Sequence, residues 1–119
     1  MNPLKGIVLL LLSLISATEI NAQHTYVVSV GIADYQNIND LTFTEADVVT
    51  FNQIMAQHDA VITTLTGAQA THSNIIKTVR SVFAKATPSD AVIFFFSGHG
   101  YEGGFCSYDM QANSHLGGM

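Results

Sequence analysis

Two almost continuously apolar runs, residues 26–32 and 91–96, constrain this chain more than any other feature. Runs with so little polar interruption suit strands covered on both faces, as in a parallel sheet, rather than strands with one wet face. A third, shorter β-branched run lies between them at 60–65 and is closed by Gly67. The intervening segments repeat at helical spacing. Val48, Phe51 and Met55 form one apolar stripe over 45–58, and Ile75, Ile76, Val79, Val82, Phe83 and Ala86 form another from about Thr71, stopped by Pro88-Ser89-Asp90. For the first helix the sequence predicts a Thr44 cap, a capping box with Asp47, and a hydrophobic staple between Phe43 and Val48. Strands alternating with helices imply right-handed crossovers and a three-layer, doubly wound α/β domain with a mainly parallel sheet, the first three strands in order 2-1-3. In such sheets a ligand site forms beyond the carboxyl ends of the strands. That singles out the loop after the first strand and Ser97-Gly98-His99-Gly100 after the third.

At 119 residues the chain is the size of one domain. Its 48% hydrophobic and 11% charged residues fit a packed core rather than a disordered segment. A formal charge of −5 with no Lys/Arg cluster argues against nucleic acid as a partner. Cys106 is the single cysteine, so neither an intrachain disulfide nor a cysteine-rich zinc site can form.

The amino terminus reads as a targeting segment. Lys5 precedes a leucine-rich apolar run over residues 6–17, shorter than the ~20 residues of a spanning helix and followed by Thr18, Glu19 and Asn21. The expectation is a signal peptide over 1–22, cut after Ala22 or, as second choice, Ala17. The folded domain is then 23–119, exported and free of the membrane after cleavage; an uncleaved anchor is the alternative. In an oxidising compartment Cys106 could cross-link two chains.

His99 is the candidate chemical group. A histidine between two glycines, directly beyond a buried strand, is held by a rigid element and has neighbours without side chains to cover it. Histidine can accept and return a proton near neutral pH, and flanking glycines let backbone N–H groups approach a substrate oxygen. Taken alone, a histidine in a turn is more often a hydrogen-bonded structural residue.

Several segments together resemble one family: residues 26–35, 41–47 leading into the first helix, 71–90, and above all Phe94-Phe95-Phe96-Ser97-Gly98-His99-Gly100, with 105–109 as a short segment ending in aspartate. They resemble the caspase-like cysteine peptidases, most nearly the bacterial metacaspase and caspase-homologue branch, which would make the source bacterial and the compartment periplasmic or extracellular. The resemblance implies that His99 is the general base and acid of a cysteine–histidine dyad acting on a peptide or protein substrate. It implies that the Gly100 N–H helps bind the oxyanion, and that Asp47 lines a pocket for Arg or Lys before the scissile bond. The competing role for Asp47 is the helix cap.

In that family the nucleophilic cysteine lies about 50 residues beyond the histidine, at the end of the next strand. The sequence stops at Met119, inside that distance. The expectation is therefore the amino-terminal, truncated part of a catalytic domain, inactive alone, with the thiol supplied by the downstream part of the same domain and the outer edge of the third strand bare. Cys106 sits in a predicted hairpin arm and reads as a half-buried structural residue; a Cys106-dependent hydrolase is the third hypothesis, after the peptidase and a non-catalytic, peptide-binding relative. No cofactor is assignable. Calcium, used by some metacaspase-like proteins, would concern residues farther downstream. His99, Cys106 and His115 match no zinc spacing, and no phosphate-binding glycine loop or serine-hydrolase elbow occurs.

Overall fold

The computed structural model describes residues 11–16 and 23–112. Its elements are β1 (Leu11–Ser16), β2 (Thr25–Gly31), α1 (Thr44–Ala56), β3 (Val61–Thr66), α2 (His72–Phe83), β4 (Ala91–Ser97), and a small hairpin of β5 (Gly100–Tyr101) and β6 (Gly104–Phe105). β2 pairs in parallel with β3 on one side and with β4 on the other, which is the predicted 2-1-3 order.

Side-chain alternation along β2 and β4 divides the core in two. Val28, Val30, Ile32, Phe94 and Phe96 join Ile75 and Val82 of α2 in one apolar cluster. On the opposite face Phe95 stacks on Phe51 of α1, with ring centroids 4.0 Å apart. Ser29 reaches Asn52 of α1 and Thr64 of β3 at 2.8 and 2.9 Å. The sheet is thus sandwiched between α1 and α2, as two right-handed crossovers to opposite sides of β2 require. The close approach of α1 depends on Gly31, where a Cβ would lie 2.5 Å from Val48 Cγ2 and 3.1 Å from the Thr44 carbonyl.

Two local expectations are corrected. Phe43, not Thr44, occupies the cap position of α1; its φ is 71°, it makes no side-chain cap bond, and it is 78% exposed, so no staple forms. Thr44 is already helical, and its buried hydroxyl has no partner. α2 starts where the sequence predicts, and Thr71 caps it by accepting from the Asn74 N–H at 3.2 Å.

The outer edge of β4, expected to be bare, is covered. β1 runs antiparallel along it, from Leu11 opposite Phe96 to Ser16 opposite Ala91. The expected cleavage site after Ala22, the second choice after Ala17, and His115 lie outside the described residues. Among the described residues no helix is long and apolar enough to cross a membrane.

Candidate functional site

The carboxyl ends of β2 and β4 are adjacent, and their loops meet where the strand order reverses. The 33–41 loop after β2 is held tightly. Leu41 N–H donates to the Ala33 carbonyl at 2.7 Å, Tyr35 N–H to Asp40 Oδ1 at 3.0 Å, and Ala33 N–H to Glu45 Oε2 at 3.4 Å. Gln36 N–H and Asn37 Nδ2 tie it to the carbonyls of Tyr108 and Met110.

His99 sits against this loop. Its Nε2 lies 2.7 Å from the Asn39 carbonyl oxygen. A carbonyl only accepts, so Nε2 carries the proton and donates, and in the neutral ring Nδ1 keeps its lone pair. Nδ1 is buried and has no hydrogen-bond partner. The ring packs against Tyr35 at a centroid distance of 5.0 Å. The residue is 3% exposed, so the expectation of an open, reachable histidine is corrected: the β2 loop covers it even though its neighbours in sequence have no side chains.

Asp47 does not close a capping box. Its carboxylate Oδ2 accepts the Ser97 hydroxyl at 2.8 Å, which brings it to the last residue of β4, two positions before His99. Asp47 itself is exposed while Ser97 is buried, so the carboxylate faces outward from the strand end. Gly100 pairs with Phe105 in the hairpin. Because Cys106 N–H donates to the His99 carbonyl at 2.9 Å, Gly100 and Phe105 form a non-hydrogen-bonded pair, and the Gly100 N–H is directed away from Phe105.

Cys106 is fully buried in the α2-side cluster rather than half-buried. Burial pushes its thiol up to about 11, so it stays protonated near neutrality, and it does not partner His99 Nδ1. An enclosed, protonated thiol is poorly placed to react with a substrate or with a second chain.

Sequence reasoning placed Tyr35, Asn39 and Ser97 in the segments lining the site but missed what each one does there: Tyr35 and Asn39 hold His99, and Ser97 holds Asp47. Asn39 acts through its backbone carbonyl, which no side-chain pattern reports. Tyr35 was legible in principle as the one aromatic residue in the 33–41 loop.

The caspase-domain family model matches residues 24–115. The chain belongs to the caspase-domain family. The match spans all three parallel strands, both helices and the His99 turn. No curated protein and no solved structure matches the chain. Among the described residues no three His, Cys, Asp or Glu side chains gather as metal ligands.

Proposed function

We propose that this caspase domain contributes the general base and acid of a cysteine endopeptidase, with His99 Nδ1 as the proton-accepting atom. One observation carries the reading: Nε2 is committed to the Asn39 carbonyl, while Nδ1 is buried and unpartnered. A buried polar atom left without a partner carries a cost, and a thiol brought to that side would remove it. The nitrogen would take the thiol proton, leaving a thiolate to attack the peptide carbonyl. It would then deliver the proton to the departing amine as the carbon–nitrogen bond breaks. The Asn39 carbonyl would hold the ring by its other nitrogen and stabilise the imidazolium. The Gly100 N–H, turned away from Phe105, is available to the developing oxyanion.

The enclosure of Cys106 supports a thiol other than its own as the nucleophile. Asp47, outward-facing and steadied by Ser97, supports selection of Arg or Lys in the substrate. Export through residues 1–22 belongs to the same proposal, tested by the mass of the secreted chain. The second reading is a non-catalytic, peptide-binding caspase domain; the near-complete burial of His99 favours it, because a peptide must open the β2 loop to reach the ring.

The test uses a protein extended through the next cysteine-bearing strand. His99→Ala should abolish turnover of an Arg-containing peptide, and Asp47→Ala should cut the preference for basic over neutral peptides at least tenfold. Turnover that survives His99→Ala would sink the dyad. An extended wild-type protein that binds peptide without cleaving it would establish the second reading.

A further inference from the structure

The base assignment leaves unexplained the buried phenol beside the imidazole. Tyr35 is 7% exposed, and its hydroxyl is used in both directions: it accepts the His99 backbone N–H at 2.8 Å and donates to the Cys106 carbonyl at 3.2 Å. Its two partners are the histidine itself and the first residue after the hairpin that begins beside it. We propose that Tyr35 is a positioning residue for His99: its hydroxyl locks the 97–100 turn in the rotation that puts Nε2 on the Asn39 carbonyl and leaves Nδ1 free.

Three features support a lock rather than a core tyrosine with a satisfied hydroxyl. First, the phenol and the Asn39 carbonyl ride on the same internally bonded 33–41 loop, so one body grips the backbone, the ring face and Nε2 of His99. Second, the turn is shaped around the hydroxyl: a Cβ on Gly98 would lie 2.5 Å from Tyr35 Oη and 2.7 Å from the Phe96 ring. Third, burial holds the phenol well above its ordinary pKa, so it remains a donor as well as an acceptor. The two consecutive bonds polarise one another in a medium from which water is excluded. Without the hydroxyl, the His99 amide and the Cys106 carbonyl would both lose a buried partner, and the turn would be free to rotate the ring off Asn39.

The inference rests on the proposed base role, and the experiment separates the two. Nitrogen-15 spectra of histidine in the full chain report the tautomer of His99 and the solvent exchange of its Nε2 proton. The wild-type ring should be a single tautomer protonated on Nε2; a proton on Nδ1 would overturn the base assignment whatever Tyr35 does. Tyr35→Phe keeps the ring and removes the hydroxyl, and should give a mixture of tautomers with Nε2–H exchange at least tenfold faster. Phe51→Leu, which thins the core on the opposite face of the sheet, where Phe51 stacks on Phe95, should leave the His99 signals unchanged, showing that general destabilisation does not produce the effect. Should Tyr35→Phe not fold, Gly98→Ala displaces the same hydroxyl and should give the same change. A folded Tyr35→Phe or Gly98→Ala protein with wild-type tautomer and exchange overturns the proposal. In the unmodified chain the Tyr35 hydroxyl proton should be slowly exchanging and close to the His99 amide proton; its absence also overturns it.

Discussion

Cys106 and His99 are joined through one backbone hydrogen bond, yet burial separates them chemically. Native chain at pH 8 should resist alkylation by iodoacetamide under conditions in which urea-unfolded chain reacts fully, measured by intact mass. The thiol is raised to about 11 in the fold, against about 8.5 in an unfolded chain. Its contribution to stability is therefore complete below about pH 8.5 and is lost as pH rises toward the folded value. Cys106→Ala should remove that alkaline slope from the urea midpoint. Asp90 behaves in the opposite sense. Hydrogen bonds from the Thr87 N–H first, then from the Thr87 hydroxyl, the His24 ring and the His24 N–H, outweigh its burial and hold its carboxyl below the usual range. Its stabilising effect is present above about pH 4, the ordinary aspartate value, and fades as acid protonates the folded form. Asp90→Asn should flatten the acid limb of stability against pH, followed by thermal melting from pH 6 to 2.

The two helices begin by different physics, and the difference is testable. α2 has a side-chain cap at Thr71 and a second acceptor in Asp109, whose carboxylate takes the His72 N–H at 2.9 Å and the Ser107 hydroxyl at 2.9 Å. Burial alone would raise the Asp109 pKa, but these hydrogen bonds bring it below its ordinary value, as befits an anion at a helix start. α1 has neither device, and its cap position holds an exposed phenylalanine in the left-handed region. Phe43→Gly should stabilise the protein by about 0.5–1 kcal/mol, because release of left-handed strain exceeds the extra chain entropy of glycine. Thr71→Ala should cost about 1 kcal/mol. Urea denaturation of both variants checks the pair. The weak start of α1 follows from position: Thr44 is drawn into the crevice beside Gly31, where helix and strand nearly touch, and cannot remain outside as a cap.

At the scale of the molecule, the sheet has one edge whose occupant decides its solution behaviour. β1 pairs along β4 within the span read as a cleavable leader. A chain beginning at residue 23 would carry β4 with its outer ladder open, and exposed strand edges pair with other chains. Sedimentation velocity of that chain should show association that increases with concentration, whereas a domain extended by its next strand should stay monomeric.

The three parallel strands, the two helices, their order and the burial of 91–96 followed from periodicity, because apolar patterning reflects which faces are covered and is written locally in 26–32, 71–86 and 91–96; the antiparallel β1, within the run read as a leader, did not. His99 was legible for the same reason: a histidine between glycines at the end of a buried strand is a local signal. Tertiary structure alone decided its surroundings. The Asn39 carbonyl that sets its tautomer lies 60 residues away in sequence, the Tyr35 hydroxyl that holds its amide 64 away, and the Ser97 hydroxyl that redirects Asp47 from the helix cap 50 away. These are contacts between single polar atoms, one of them a main-chain oxygen. Hydrophobic periodicity records how much surface is buried and on which side, but hydrogen-bond partners depend on where distant loops cross, and the loops after β2 and β4 meet only once the parallel sheet has formed.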